Sequence, residues 1–367
     1  MKIGLITIYH VPNYGSVLQT FATQKVLEQM GHECIVIQYN YRNDDFFAKQ
    51  GLKRNRLREW ILNNIPFLKS GKLNRFRKNH LNFSRKFETY NELEAFDWSS
   101  FDSFIVGSDQ VWNTKYLLGD PAFLLKFAPS NKSRISLSSS FAMKSLPLEF
   151  QNLFRSELMK FKSISVRERN GVDIIQKELE ISKDVEITLD PTLLLSRKEW
   201  LSCVPRSSFK KNRPYILVYM WTYAFEPRPY IFQVIEHYQK QMSAEVVVLE
   251  GHRELQGLRC PFVDANRSSV QEFIDLFANA ELVITSSFHG TAFAVNFGIP
   301  LISIVPNGDG DDRQSSLLRL VGADNSIVKL GDNINDLNPY FNKGKVCERL
   351  EQENRKTKDW LNKALKE

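Results

Sequence analysis

The segment TSSFHGTAFAVNFG places a histidine among serines, a glycine and a threonine, at the point where an apolar run ends. ELVITSS predicts a strand and GTAFAVNFG predicts a helix from Gly290, so we expect His289 on the turn between them. Free N–H groups and the helix dipole favour an anion there. Gly290 would let a ligand approach the backbone, and Ser286, Ser287 and Thr291 would add hydroxyl donors. The pattern predicts an anion site with a titratable group, although a lone histidine could instead cap the turn or bond a buried carbonyl.

A second polar segment, VGSDQVWN, also follows a predicted strand, SFIVG. Ser108, Asp109, Gln110 and Asn113 could hydrogen-bond the hydroxyls of a sugar, and Trp112 could offer an aromatic face. The alternative is an Asx-type turn in which Trp112 packs into the core. The spacing alone does not decide between these two interpretations.

The segment PNYGSVLQ ends the first predicted strand in the same way. Asn13, Gly15 and Gln19 are candidate binding residues, with Ser16 and Gln19 expected to face a cleft from the first helical turn. Alternatively, Asn13 and Gly15 only shape the turn.

An arginine follows the apolar residues of SISVRERNG and is a candidate for binding an anion. The guanidinium of Arg167 would suit a carboxylate or a phosphate at a strand end. The alternative is an ion pair with Glu168 or Asp190. The chain has no GxGxxG, GxxxxGK[ST], GxSxG or HExxH motif, so common nucleotide, nucleophile and zinc signatures are absent.

Alternating apolar runs and helical patterns predict an α/β protein. KIGLITI, a helix from Ser16 to Met30 and CIVIQY form one βαβ unit, which implies a parallel sheet. The alternation begins again after a polar stretch. We therefore predict two Rossmann-like, doubly wound domains that are joined once and face a cleft, with ligands at the carboxyl ends of the strands. The predicted segments are an N-terminal domain 1–195, a linker 196–213, a C-terminal domain 214–345 and a helix 346–367.

Composition and cysteine spacing favour a cytoplasmic protein. Of the 367 residues, 43% are hydrophobic and 25% are charged, as in soluble globular proteins. The four cysteines are far apart and form no CxxC pair, which favours reduced thiols over disulfides or zinc ligands. The apolar runs are shorter than the ~18–20 residues of a membrane span. The N-terminal apolar run is too short for a signal peptide and is typical of a first strand.

The positive charge is concentrated in one segment. Residues 49–86 contain twelve Lys/Arg and one acid, a net charge of +11 against +7 for the whole chain. This local charge suggests a local anionic partner and not nucleic acid. Apolar residues between the cations are typical of a membrane-surface segment, so we predict peripheral contact with the inner face of the cell membrane. The alternative is a solvated basic helix pair whose apolar residues pack on the sheet. The apolar residues are Leu57, Trp60, Ile61, Ile65, Phe67 and Leu68.

Four segments together make the chain resemble the polysaccharide pyruvyl transferase family. They are NYGSVLQTFATQKVLEQMGHECIVIQY, FIVGSDQVWN, SVRERNG with TLDPTLLL, and LFANAELVITSSFHGTAFAVNFGIPLI. The resemblance implies a GT-B-like fold, with the acceptor on the N-terminal domain and the donor on the C-terminal domain. It also implies transfer of the enolpyruvyl group of phosphoenolpyruvate to two hydroxyls of a sugar or a lipid-linked oligosaccharide. The product would be a pyruvate ketal in cell-surface polysaccharide biosynthesis. No metal and no cofactor beyond the co-substrate phosphoenolpyruvate is expected.

The resemblance also implies roles for individual residues. His289 would be the catalytic acid that protonates the donor, or else a direct hydrogen-bond donor to phosphate. Many family members have an arginine two residues before this histidine, where this chain has Ser287. We predict that Arg167 supplies the missing cation and, together with the turn around Ser287–Thr291, holds the donor's anionic groups, with Arg313 as the alternative.

Two other functions fit the same pattern. A nucleotide-sugar-dependent GT-B glycosyltransferase would hold a diphosphate at the helix that begins near Gly290. A non-catalytic sugar-binding protein of a polysaccharide assembly complex would bind saccharide and turn over no donor. Protection from thermal unfolding by phosphoenolpyruvate or by a nucleotide sugar would discriminate between the two enzymes.

Overall fold

The computed structural model describes residues 1–204, 213–222, 224–249, 252–308 and 313–366, with the side chains of residues 45, 49, 252 and 253 left out. The chain divides into two compact units. Unit 1 comprises Met1–Pro66, Leu73–Leu194 and Arg355–Glu367, and unit 2 comprises Phe67–Lys72 and Leu195–Asn354. Both units have a parallel sheet with helices between the strands, so the α/β prediction is confirmed.

The sheet of unit 1 has seven described strands in the order β3-β2-β1-β4-β5-β6-β7, all parallel. Its central strands are buried along nearly their whole length, as expected for a parallel sheet covered on both faces. The strands are β1 (Lys2–Ile6), β2 (Glu33–Tyr39), β3 (Phe83–Phe87), β4 (Ser103–Val106), β5 (Ser133–Ser139), β6 (Ser163–Val166) and β7 (Val185–Ile187).

Eight α-helices lie between Met1 and Asp173, a part of the chain that is described throughout. The first begins at Tyr14, two residues before the predicted start, because the side chain of Asn13 caps it. The helices are α1 (Tyr14–Gln29), α2 (Asp44–Lys49), α3 (Arg56–Asn64), α4 (Lys69–His80), α5 (Tyr90–Glu94), α6 (Thr114–Leu117), α7 (Leu148–Leu158) and α8 (Arg169–Asp173).

Unit 2 has six described strands in the order β10-β9-β8-β11-β12-β13, again all parallel. The strands are β8 (Tyr215–Tyr219), β9 (Glu245–Val248), β10 (Val263–Asp264), β11 (Leu282–Thr285), β12 (Leu301–Val305) and β13 (Ile327–Lys329). The helices are α9 (Arg197–Cys203), α10 (Tyr230–Met242), α11 (Val270–Ala278), α12 (Phe288–Phe297), α13 (Arg313–Val321) and α14 (Lys343–Lys366). None of the helices in the described ranges is long and apolar enough to cross a membrane.

Neither unit is one continuous stretch of sequence, because the chain passes from one unit to the other more than once. The prediction that the two halves are joined once is therefore wrong. The first turn of α4, within Phe67–Lys72, belongs to unit 2, although it lies in the basic segment predicted for the N-terminal domain. The end of α14 belongs to unit 1, where the amide of Leu189 donates to Oγ1 of Thr357 at 3.1 Å. Leu361 is fully buried there. Apolar burial at the end of a charged helix therefore brings the chain back to the first unit. Of the predicted linker, residues 205–212 lie outside the described residues.

Candidate functional site

The start of α12, directly after β11, carries the histidine that the sequence singled out. Ser287 caps α12, and its side chain accepts a hydrogen bond from the amide of Gly290 at 3.4 Å. The helix begins at Phe288, so His289 lies in its first turn and not on the preceding turn as predicted. The serine cap explains the earlier start. The amides of this first turn have no carbonyl partner within the helix, which is the geometry that favours an anion.

Side chains at the end of β11 are bonded to the end of β8. The hydroxyl of Ser286 donates to the carbonyl of Trp221 and accepts from its amide, both at 2.8 Å. Oγ1 of Thr285 donates to the carbonyl of Tyr219 at 2.5 Å and accepts from the amide of Ser287 at 3.0 Å. The hydroxyl proton of Ser286, predicted to serve a ligand, is therefore used to hold the two strand ends together.

The start of α13 lies against α12. Nε2 of Gln314 donates to Oγ of Ser303 at 2.7 Å and lies 3.3 Å from Oγ1 of Thr291. Thr291 also donates to the carbonyl of Ser287 at 3.1 Å, so its hydroxyl is engaged within the fold. Arg313, the first residue of α13, is buried. The predicted cation Arg313 and the predicted acid His289 thus stand on two helices that contact each other in unit 2.

Gly290 has a packing role that the sequence did not indicate. A Cβ added there would lie 2.3 Å from Oγ1 of Thr285 and 3.1 Å from Cδ1 of Tyr219. Real Cβ atoms essentially never show a contact as short as the first of these, and the second is tighter than most. The glycine therefore lets α12 pack closely on the ends of β11 and β8, whether or not a ligand approaches the backbone.

In unit 1 the predicted polar residues meet in a buried hydrogen-bond network at the strand ends. Nη1 of Arg167 lies 2.9 Å from Oδ2 of Asp190, and the side chains of both residues are fully buried. Oγ of Ser108 donates to the same carboxylate oxygen at 2.6 Å. Asp109 accepts from the hydroxyl of Ser16 at 2.6 Å. For Arg167 this arrangement is the ion-pair alternative that the sequence left open.

The residues of PNYGSVLQ shape the first loop. Oδ1 of Asn13 accepts from the amide of Gly15 at 2.8 Å, which is the turn-forming alternative. Gln19 is fully buried, and its Nε2 donates to Oγ1 of Thr7 at 2.9 Å and to the carbonyl of Ile8 at 3.1 Å. The expectation that Gln19 faces a cleft is therefore wrong, because its amide holds the loop that follows β1.

Trp112 is fully buried and cannot offer an aromatic face to a sugar. Its Nε1 donates to the carbonyl of Phe123 at 3.0 Å. Oε1 of Gln110 accepts from Nδ2 of Asn113 at 3.0 Å, and Asp109 accepts from the amide of Gln110 at 2.9 Å. The local turn with a core tryptophan is therefore the correct alternative for this aromatic residue.

Two side chains in these networks were not predicted as site residues. Asp190 neutralises Arg167 and also accepts from the hydroxyl of Thr192 at 2.6 Å. The dipeptide Asp-Pro after VEITL was the available signal, because aspartate before proline is typical of a turn or helix start. Gln314 bridges Thr291 and Ser303, and no pattern in the sequence indicated this contact.

The basic segment contains a helix with no buried residue, α3. Leu57, Trp60 and Ile61 are 68%, 65% and 40% exposed. For this helix, the alternative that its apolar residues pack on the sheet is wrong. By contrast, Arg54 is 12% exposed and pairs with Glu59 at 3.0 Å, so part of the segment's charge is neutralised locally.

The fold resembles solved enzymes that act on nucleotide sugars or transfer sugars. A UDP-GlcNAc 2-epimerase from Methanocaldococcus jannaschii matches with a TM-score of 0.54 and 14% identity, over 96% of this chain and 92% of that chain. A UDP-GlcNAc 2-epimerase from Neisseria meningitidis, bound to UDP-GlcNAc, matches with a TM-score of 0.52 and 11% identity, over 100% and 99%. The glycosyltransferase SnogD from Streptomyces nogalater matches with a TM-score of 0.50 and 12% identity, over 99% of both chains. At these identities the likeness establishes the GT-B-like fold alone.

The sequence matches a protein family but no single curated protein. No curated protein sequence matches it significantly. The family model described as polysaccharide pyruvyl transferase matches residues 13–308, which contain the Ser287–Gly290 turn and the unit 1 network. Because this match covers most of the sequence, the protein belongs to the polysaccharide pyruvyl transferase family, a family of transferases.

Proposed function

We propose that the protein transfers the enolpyruvyl group of phosphoenolpyruvate onto two hydroxyls of a sugar, forming a pyruvate ketal in cell-surface polysaccharide biosynthesis. The observation that carries this proposal is the family match over residues 13–308. The placement of His289 in the first turn of α12 supports it, because a donor with phosphate and carboxylate groups suits a helix N-terminus.

The proposed reaction needs an acid that protonates the donor and then regains its proton from the attacking sugar hydroxyl. His289 protonates the terminal carbon of phosphoenolpyruvate, which creates an oxocarbenium-like centre at the neighbouring carbon. The first sugar hydroxyl attacks that carbon and restores the proton of His289. The bond to the phosphate oxygen then breaks, and the second hydroxyl attacks the same carbon and closes the ring. Its proton leaves with inorganic phosphate, so atoms and charges balance without a metal or a redox cofactor.

The donor's anionic groups require a cation, and Arg313 is a candidate because its helix contacts the helix that carries His289. Arg167 already neutralises Asp190 at 2.9 Å in a fully buried pair. Arg313 begins α13, and the next residue, Gln314, contacts Thr291 on the helix that carries His289. A guanidinium at this position would bind phosphate or carboxylate in a bidentate way. The amides of Phe288 and His289 complete the proposed anion site, because the amide of Gly290 donates to the side chain of Ser287.

Donor identity can be tested by thermal unfolding and product formation. Phosphoenolpyruvate should raise the melting temperature more than UDP-, GDP- or CMP-sugars do, because a ligand that binds only the native state stabilises it. With lipid-linked saccharides as acceptors, the protein should release inorganic phosphate from phosphoenolpyruvate. Stabilisation by a nucleotide sugar alone would favour the glycosyltransferase alternative. Saccharide binding with no turnover of any donor would favour the non-catalytic alternative.

We also propose that the basic segment 49–86 binds the anionic inner surface of the cell membrane, where a lipid-linked acceptor would be presented. Exposed Leu57 and Trp60 on α3, with exposed Lys53 and Arg58 nearby, support this contact. Each cation near an anionic bilayer contributes about 1 kcal/mol, and salt weakens the attraction.

Vesicle co-sedimentation tests the membrane contact. Binding to phosphatidylserine-containing vesicles should fall with added salt, with Lys53→Glu and Arg58→Glu, and with Trp60→Ser. Leu148→Ser is the matched control, because Leu148 is an 80% exposed leucine outside the basic segment. Equal binding to neutral and anionic vesicles would contradict the electrostatic part of the proposal.

A further inference from the structure

Unit 1 contains a cavity that has no part in the functions proposed above. Its volume is about 230 Å³, and it opens beside the carboxyl ends of β2 and β3. Tyr39 ends β2, Tyr41 lies two residues beyond it, and Tyr90 is the first residue of α5. Phe46 on α2 and Asp120 after α6 also line the cavity. Ligands of open parallel sheets bind at this edge of the strands.

The cavity combines aromatic rings with one anchored carboxylate. Oδ2 of Asp120 accepts from the hydroxyl of Tyr39 at 2.8 Å, while its Oδ1 accepts from the amide of Ala122 at 2.9 Å. The carboxylate is therefore fixed in position at the wall. Tyr41 packs edge-on against Phe46, with ring centroids 5.8 Å apart, so the aromatic wall is also held in place.

The lining chemistry selects a neutral, polar ligand with an apolar face. Among the described residues that line the cavity there is one aspartate and no lysine or arginine, so a phosphate would meet repulsion there. A pyranose ring presents C–H groups to aromatic faces and hydroxyls to a carboxylate or an amide. Drug-sized ligands occupy pockets of about 300–1,000 Å³, so this smaller cavity suits about one sugar ring.

We infer that the cavity lined by Tyr39, Tyr41, Tyr90 and Asp120 is a saccharide-binding site that holds one sugar residue of the acceptor. The assignment to the acceptor rests on the proposed function, whereas saccharide binding itself does not. Tyr39 and Tyr41 are buried, so the half-buried Tyr90 is the tyrosine whose ring is offered to the sugar. Trp112, the aromatic candidate from the sequence, lies in the core.

Saturation-transfer NMR without any donor tests this site. The probes are methyl α- and β-hexopyranosides and their 2-acetamido forms, with the open-chain polyol sorbitol as the control ligand. At least one pyranoside should bind and sorbitol should not, because only the ring offers a flat apolar face. Tyr90→Ala should weaken the binding about tenfold and Tyr90→Phe should retain it, since the ring and not the hydroxyl makes the contact. Asp120→Asn should weaken it as well.

The controls separate this site from the donor chemistry. Tyr340→Ala removes a 61% exposed tyrosine from unit 2 and should leave pyranoside binding unchanged. His289→Asn should also retain pyranoside binding, because His289 lies in unit 2. If the wild-type protein binds a pyranoside but releases no phosphate from phosphoenolpyruvate, the proposed function fails and the saccharide site stands. Failure of every pyranoside to bind the wild-type protein would overturn the inference. Equal binding by Tyr90→Ala, with folding verified by thermal melt, would overturn it too.

Discussion

Replacing Gly290 with alanine separates a packing role from a ligand-contact role. The new Cβ would lie 2.3 Å from Oγ1 of Thr285. That oxygen cannot simply move, because it donates to Tyr219 and accepts from Ser287. Forced overpacking of a buried site costs about 1–3 kcal/mol, and the clash with an anchored side chain puts this case near the upper end. Alanine regains about 0.5–1 kcal/mol over glycine within a helix. The free energy of unfolding should therefore fall by about 2 kcal/mol.

Gly344 provides the matched control for this substitution. It lies in α14, and the nearest atom to its added Cβ, Oδ1 of Asn342, is 3.5 Å away, which is an ordinary contact. Gly344→Ala should therefore stabilise the protein by up to about 1 kcal/mol. Urea unfolding followed by circular dichroism measures both variants. If Gly290→Ala were as stable as the wild type but bound phosphoenolpyruvate weakly, the packing explanation would be refuted and close ligand approach would explain the glycine.

Three further predictions concern the proposed donor site. His289→Asn should bind phosphoenolpyruvate nearly normally in calorimetry and lose about 10²–10⁴-fold in phosphate release, the usual size of a general-acid contribution; near-wild-type turnover would leave only a structural role. Arg313→Ala should weaken donor binding by about 1.5–3 kcal/mol. Arg319→Ala, at an exposed position of the same helix, should leave donor binding unchanged. Equal effects of the two variants would contradict the role of Arg313 as the donor's cation. Arg167→Ala should lower the free energy of unfolding by about 3–5 kcal/mol because it leaves Asp190 buried without its cation. Arg167→Met combined with Asp190→Asn should recover part of that loss. If Arg167→Ala were stable but bound the donor weakly, the arginine would instead be a ligand-binding residue.

The fold could be predicted wherever apolar runs were long enough to imply buried strands. The apolar runs KIGLI of β1, YILVY of β8 and LISIV of β12 are buried along nearly their full length. The missed strand β3 reads FSRKF, and its cations hid the strand within the basic segment. The missed strands β10 and β13 have two and three residues, too few for a period-two pattern. Tertiary pairing with a neighbouring strand, and not local sequence, makes these segments strands.

The sequence named polar residues at the strand ends but could not predict the hydrogen bonds that their side chains make. The polar residues that follow the strands were predicted to bind ligands, and the structure shows that many of them are bonded to one another within the fold. The sequence could not reveal which hydroxyl bonds which backbone group, because those partners are distant along the chain. Ser286 meets Trp221 65 residues away, and Arg167 meets Asp190 23 residues away. A pattern that specifies residue types cannot separate a side chain bonded within the fold from one directed at a ligand.

Ser287 shows how the departure from the family pattern and the local fold are related. A serine at this position accepts from the amide of Gly290 and so stabilises the start of α12. An arginine there would carry a cation to the same helix end but has no oxygen to accept that bond. The serine therefore gives helix capping in place of charge, and the positive charge for an anionic donor has to come from another element. In unit 2 the start of α13 contacts α12 through Gln314 and Thr291. Arg313 at this start makes α13 the element suited to supply it.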